Sequence, residues 1–430
     1  MYVFKFGGAS VKSANEVRNV ANIIKMYSDT NLMIVVSAMG KITNALEQLT
    51  EYYFTGDKES AEKLFVEIKS YHVDIAKNLF NNNNGQFIRH LEDKFKSFES
   101  MLEKAPGENY NFEYDRIVSM GEELSAMIIS HYLNEAGLNN RWFNANDIVI
   151  TDARYRDAQV YWDKTQVAVE EKLLPFFDNA SKNSSQAIAI IQGFVGGTTA
   201  GYTTTLGREG SDYTAAVLAY TLNAREVVIW KDVPGLLNAD PKLVKQNILL
   251  PNISYREAIE LAYYGAKVIH PKTLKPLLNK NISLRVKSFY EPGNEGTLIN
   301  YNEKYDGETP SYIFKFNQVM LSIYPKDFSF IAEDNLSHIF SEFARHNLRI
   351  NMMQNSAISF TVCFDYDRTK TPALVDGLKK LFNIECIYDK ELLTIRHYKK
   401  ADINPFIEDR IVILEQKTSD TLQLLVKKQE

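Results

Sequence analysis

The sequence predicts an α/β protein, with a mainly parallel sheet flanked by helices, followed by a smaller α+β region of ferredoxin-like order. Two observations predict it. Short apolar runs at residues 2–6, 32–37, 187–192, 226–230 and 282–287 are bounded by glycine or polar residues and separated by stretches of helical periodicity. Apolar strands alternating with helices are the pattern of parallel strands covered on both faces. After residue 311 the pattern changes to strand (319–324), helix (335–346), strands (349–355 and 359–365), helix (372–382) and strands at 384–388 and 392–397. That order is the plan of a ferredoxin-like module.

The polar, turn-rich residues 300–311 separate the two patterns and look like a linker. The domains expected are therefore 1–300, with a helical insertion at about 51–110, then 312–392 and a short remainder at 393–430. A chain of 430 residues suits two or three domains. The insertion is rich in Lys, Glu and Phe at helical spacing and is broken by the polar run at 81–84. It reads as a lobe that shapes a site without touching chemistry.

Hydrophobic residues at 45% and charged residues at 24% fit a soluble globular protein. A net charge of −5 and a pI near 5.9 argue against nucleic acid as the main partner. Cys363 and Cys386 are too few for a disulfide framework and suit a reducing cytoplasm. The N-terminus runs from Met1 straight into a glycine turn, leaving no room for a signal peptide, and no apolar run reaches ~18 residues. Neither secretion nor a membrane span is expected.

Four motifs carry candidate chemistry. Lys5-Phe6-Gly7-Gly8-Ala9-Ser10 follows a strand directly. Its glycines allow close approach to a polyphosphate, and Lys5 could supply positive charge as phosphoryl transfer proceeds; a plain strand-to-helix turn would also explain it. Ser37-Ala38-Met39-Gly40-Lys41-Ile42-Thr43 repeats the strand-glycine-helix pattern, with Ser37 and Thr43 as site residues or helix caps. In Thr204-Thr205-Leu206-Gly207-Arg208-Glu209-Gly210-Ser211-Asp212, two glycines bracket an arginine whose planar fork suits a carboxylate. Ser211 or Asp212 there could serve as an N-cap. Lys231-Asp232-Val233-Pro234-Gly235 and Asp240-Pro241-Lys242 form strand-end turns. Ser254-Tyr255-Arg256-Glu257 has the form of a capping box, and Lys267 follows the helix-ending Gly265. His270 before Pro271 reads as structural, with no second ligand at metal spacing.

In this order the motifs resemble those of the aspartokinases, within the amino acid kinase family. The resemblance runs from Lys5-Phe6-Gly7-Gly8 to Gly296-Thr297-Leu298-Ile299, and Ser119-Met120-Gly121-Glu122 is part of it. Residues 340–347 look like the first helix of an ACT module. It implies an amino acid kinase fold with a C-terminal ACT region, MgATP and L-aspartate as substrates, and transfer of the γ-phosphoryl group to the aspartate side chain at the head of lysine, threonine and methionine biosynthesis. It also implies a homodimer through the ACT region and a possible amino-acid effector.

Roles follow from the resemblance. Lys5 would stabilise the transferring phosphoryl group, with Gly7, Gly8 and Ser10 beside the phosphates. Ser37 and Thr43 would line the crevice, Glu122 would hold the α-ammonium and Arg208 a carboxylate, and Ser211 and Asp212 would complete the pocket. Lys231, Asp232, Lys242 and Lys267 would belong to the nucleotide side. A carboxylate nucleophile is already ionised at pH 7, so Asp212 is cast as an orienter, working through the ammonium or a magnesium shell, and not as a base.

Departures from the family pattern are Ala9 for threonine, Glu209 for glycine, Lys231 for a small hydroxyl residue, Leu237 for tyrosine and Lys242 for arginine. The tail departs most. Residues 411–416 and 421–427 read as a hairpin with space for one helical turn near 401–408, so the second ACT module is reduced. Another amino acid kinase, such as one acting on glutamate, would lack this tail. An amino-acid-sensing regulatory subunit with weak catalysis would not need Lys5, Glu122, Arg208, Asp212 and Lys267 together. A fused homoserine dehydrogenase is not expected at this length.

Overall fold

The computed structural model describes residues 1–80, 85–182, 185–266, 269–327 and 329–429. The chain divides into two compact units. The first is Met1–Leu236, Pro251–Tyr255 and Ile269–Asn302; the second is Leu237–Leu250, Arg256–Val268 and Glu303–Glu430.

In the first unit the strands are β1 (Tyr2–Phe6), β2 (Leu32–Val36), β3 (Arg141–Phe143), β4 (Ile150–Thr151), β5 (Ile188–Gln192), β6 (Val195–Thr198), β7 (Thr203–Thr205), β8 (Glu226–Lys231), β9 (Asn252–Ser254), β10 (Ser283–Ser288) and β11 (Thr297–Asn300). Among the described residues, eight of them form one sheet in the order β3-β5-β2-β1-β8-β10-β11-β9. All its pairings are parallel except β10 with β11. Strands β4, β6 and β7 make a separate small sheet.

The helices are α1 (Ala14–Lys25), α2 (Ile42–Thr55), α3 (Lys58–Leu79), α4 (Gly85–Leu102), α5 (Tyr110–Val118), α6 (Met120–Glu135), α7 (Trp162–Lys172), α8 (Leu174–Lys182), α9 (Gly210–Thr221), α10 (Tyr255–Tyr264) and α11 (Pro271–Asn279). Alternation in the strands assigns the two faces. Phe4, Phe6, Ile34, Val36, Ile190 and Trp230 join one core with residues of α1 to α6. Helix α9 packs on β1, β2 and β8. Every residue of β2 and β5 is buried, so both read as unbroken apolar runs.

The second unit continues from Arg256 of α10 and holds β12 (Ser311–Pro325), α12 (Glu333–Arg345), β13 (Ile350–Asn355), β14 (Phe360–Asp365), α13 (Lys370–Leu378), β15 (Phe382–Arg396), α14 (Asn404–Ile407), β16 (Arg410–Lys417) and β17 (Thr421–Lys428). Its antiparallel sheet runs β13-β14-β12-β15-β17-β16, and β12 to β15 follow the strand-helix-strand-strand-helix-strand order. The hairpin β16–β17 pairs with the second half of β15, from Glu391 to Arg396. Inside this unit Arg396 Nε donates to Glu257 Oε1 of α10 at 3.2 Å, and His397 stands 3.2 Å from the same carboxylate.

Several expectations need correction here. The helix expected at 372–382 is Lys370–Leu378, because Phe382 already pairs with Pro325 in the sheet. The strands expected at 384–388 and 392–397 are one strand of 15 residues. The polar gap between them is a bulge, with Asp389 at φ 55° opposite a matching irregularity at Asn317, also φ 55°. Likewise 319–324 is only the second half of β12, which begins at Ser311 in the expected linker. The polar run 81–84 lies outside the described residues.

Candidate active site

The C-terminal ends of β1, β2 and β8, adjacent and parallel in the first unit, open onto a cleft of about 640 Å³. This is where open parallel sheets bind ligands. Lys5 is the last residue but one of β1, and Gly7 and Gly8 turn the chain out of the sheet. From β2 come Ser37 and Gly40, with Thr43 in the first turn of α2. The two turns lock together, since Gly40 N–H donates to the Gly8 carbonyl at 3.0 Å. A Cβ on Gly8 would lie 2.7 Å from the Gly40 carbonyl oxygen, so glycine is required by close approach.

Glu122 enters from the first turn of α6, whose start packs tightly because a Cβ on Gly121 would meet Ala38, Leu46 and Ile42. The Glu122 carboxyl is buried, and its Oε2 has no hydrogen-bond partner among the described residues. Burial pushes its pKa up to about 8, against the opposing pull of the Ala38 N–H and the Lys5 charge.

The arginine loop supplies the opposite wall. Gly207 at φ 75° and Glu209 at φ 53° both adopt the left-handed region, which sets Arg208 at the cleft with its side chain exposed. Helix α9 then begins at Gly210, which corrects the N-cap reading of Ser211 and Asp212. Both sit inside the first turn, buried, and Glu209 at the cap position makes no side-chain cap. A Cβ on Gly193 would collide with Ser211, so the helix start is held against the end of β5.

Asp212 faces Lys5, with Nζ to Oδ1 at 2.6 Å. Burial alone would raise the Asp212 pKa, but the Lys5 and Lys231 charges outweigh it and hold the carboxyl below the usual range. Asp212 is thus an ionised partner of the cleft lysine. Lys231, at the end of β8, also lines the cleft.

Ser10, Asp232 and Lys242 do not line the cleft. Ser10 is buried and its hydroxyl donates to the Trp230 carbonyl at 3.3 Å, which ties the turn after β1 to β8. Asp232 is exposed and is not among the cleft residues. Lys242 is exposed in the second unit, following the Asp240 turn that accepts its N–H at 2.9 Å. Lys267 lies outside the described residues. His270 caps α11 by accepting the Lys272 N–H, as a structural residue. Glu209 lines the cleft, and its carboxylate accepts the His270 N–H at 2.8 Å.

Glu47, Tyr114 and Arg156 also line the cleft and escaped the sequence reading. Glu47 and Tyr114 sit on ordinary helical faces, while Arg156 belongs to a loop with no glycine to mark its left-handed backbone, φ 72°.

A lysine at a glycine turn, a buried acid with a vacant oxygen and an arginine between glycines therefore share one cleft at the sheet edge. A profile of the amino acid kinase family matches residues 1–288. Lysine-sensitive aspartokinase 3 of Escherichia coli K12 is 32% identical over 392 residues, covering 89% of this chain and 84% of that protein. The chain belongs to the aspartokinases.

Aspartokinase 2, chloroplastic, of Arabidopsis thaliana is 31% identical over 394 residues, covering 89% of this chain and 69% of the plant protein. The chain spans 63% and 64% of the length of two further Arabidopsis aspartokinases. The crystal structure of E. coli aspartokinase III with aspartate and ADP, described as the R-state, superposes with a TM-score of 0.80 at 28% identity, covering 99% of this aspartokinase chain and 96% of the other.

Proposed function

We infer that this chain is an aspartate kinase, transferring the γ-phosphoryl group of ATP to the side-chain carboxylate of L-aspartate. The observation that carries this reading is the pairing, in one cleft, of Glu122 with its vacant oxygen and Arg208 with no carboxylate partner among the described residues. They complement the ammonium and carboxylate of an amino acid, beside a lysine at a glycine turn that suits a polyphosphate. The E. coli relative bound to aspartate and ADP supports the same substrates.

In the reaction, a side-chain carboxylate oxygen attacks the γ-phosphorus, the bond to the bridging oxygen breaks, and ADP leaves with that electron pair. The nucleophile is an anion at pH 7, so no base is needed. The obstacle is repulsion between the carboxylate and the triphosphate. Lys5 offsets it at the transferring group, with Asp212 keeping the ammonium aimed and charged. Lys231 adds positive charge on the nucleotide side, and Ser37, Thr43 and Ser211 would hydrogen-bond the substrates. Magnesium would arrive as part of the nucleotide substrate and supply charge neutralisation at the phosphates.

The second unit reads as an ACT region with its second module reduced to the β16–β17 hairpin and α14. A homodimer through this region and an amino-acid effector, such as the lysine in the name of the E. coli relative, belong to the same proposal. The test of the activity is aspartate- and ATP-dependent formation of aspartyl hydroxamate, since hydroxylamine traps an acyl phosphate. Product with glutamate but none with aspartate would overturn the reading.

A further inference from the structure

The loop between β4 and α7 turns at Arg156, a residue with a full side chain held at φ 72°. Such a backbone costs on the order of 1 kcal/mol or more and persists only where its surroundings impose it. Here the Arg156 N–H donates to both carboxylate oxygens of Asp115, each at 3.1 Å. Asp115 is itself fixed by the Thr205 N–H at 2.8 Å and the Thr205 hydroxyl at 2.7 Å. The carboxylate therefore anchors backbone and hydroxyl groups, and no carboxylate pairs with the Arg156 guanidinium among the described residues.

The guanidinium instead lies over the Tyr114 ring, 4.4 Å from its centroid, and Tyr114 donates its hydroxyl to Glu47 at 2.5 Å. A stacked guanidinium is oriented, yet its N–H edge stays available to a ligand. Arg156 is one of the residues that line the cleft. The Arg156 loop also abuts the Arg208 loop, for a Cβ on Gly207 would lie 3.1 Å from the Arg156 carbonyl oxygen. Two adjoining loops thus bring two arginines to one cleft, neither paired with a carboxylate among the described residues.

We propose that Arg156 is a second carboxylate-binding residue of the amino-acid pocket, which makes the pocket select a dicarboxylate. The proposal rests on the aspartate-kinase reading. Aspartate has one ammonium and two carboxylates. Glu122 answers the ammonium and Arg208 one carboxylate, which leaves one negative charge for Arg156. The contact exists before reaction, so its loss belongs in KM and not in kcat.

Arg156→Gly isolates the side chain, because glycine adopts the left-handed backbone freely and keeps the N–H bonded to Asp115. The experiment is steady-state ADP release by the purified full chain, varying aspartate and MgATP separately. For Arg156→Gly we expect the aspartate KM to rise about tenfold or more, the scale of losing one charged hydrogen bond, with kcat and the MgATP KM within about twofold. The inhibition constant of succinate, a dicarboxylate without an ammonium, should rise by a similar factor, and Arg156→Lys should recover part of both losses. An unchanged aspartate KM, or a rise confined to the MgATP KM, would overturn the proposal. A wild-type chain that releases ADP with no dependence on aspartate would overturn the underlying reading as well, a result distinct from either.

Discussion

Glu122 shows how a single buried side chain can make substrate affinity depend on pH. Its folded pKa of about 8 lies above the ordinary carboxyl value, so the empty cleft holds it protonated at pH 6 to 7. In its proposed role, Glu122 must be an anion to bind the substrate ammonium, so aspartate would displace a proton. Affinity should therefore rise with pH, by up to about tenfold per unit below pH 8, and level off above it. Calorimetry in buffers of different ionisation enthalpy should detect the released proton near pH 7, and Glu122→Gln should abolish both the release and the slope. The same shift acts on stability with the opposite sense. A raised carboxyl pKa contributes stability that is present below the unfolded value and lost as pH rises through 8. Asp212 behaves differently, since the Lys5 and Lys231 charges hold it ionised across the working range. Asp212→Asn should lower kcat by leaving Lys5 without its anion, while creating or removing no limb in the pH–rate profile between pH 6 and 9. Lys5→Ala should lower kcat by about 100-fold or more, with a much smaller change in the aspartate KM. A near wild-type kcat would remove Lys5 from the phosphoryl step.

At the scale of elements, the cleft depends on two glycine turns packed backbone to backbone. Gly8→Ala would place a methyl group 2.7 Å from the Gly40 carbonyl oxygen, and neither backbone can yield without moving Lys5 or Ser37. The expected cost is about 1–3 kcal/mol of stability with a clear loss of kcat. Gly293→Ala, where nothing lies within 4 Å, should be silent in both thermal unfolding and activity. The sequence revealed these turns because strand, glycine and helix start lie next to one another along the chain. Arg156 was hidden because its conformation comes from Asp115, forty-one residues earlier. The Ser10 hydroxyl was hard to place for the related reason that its partner is distant in sequence. Only the neighbouring strand, with its Trp230 carbonyl, shows where the hydroxyl goes. Strand and helix periods identified the elements, whereas the bulge at Asp389 divided one strand into two apparent ones.

For the whole molecule, the proposed ACT region bears on regulation. The β16–β17 hairpin carries α14 as its helical cover, with Phe406 and Ile407 packed against Leu393, Ile395 and Leu424. An effector shifts an equilibrium only by its differential affinity for two states, and on the proposed reading of a reduced second ACT module that coupling should be weak. Lysine, threonine and methionine, singly and in pairs at sub-saturating aspartate, should inhibit weakly and without strong cooperativity, while light scattering should give a dimer mass. Strong cooperative inhibition by low lysine would show that the short tail still builds a competent site. The long strand β15 has a further consequence, which concerns synthesis of the chain. Both halves pair with β12, made earlier, but its second half is also flanked on its other side by β17, which the ribosome adds later. Until then Leu393 and Ile395 lack the side-chain cover supplied by Leu422 and Leu424. The emerging chain therefore passes through an interval with an open, apolar sheet margin, in which self-association competes with completion of the fold.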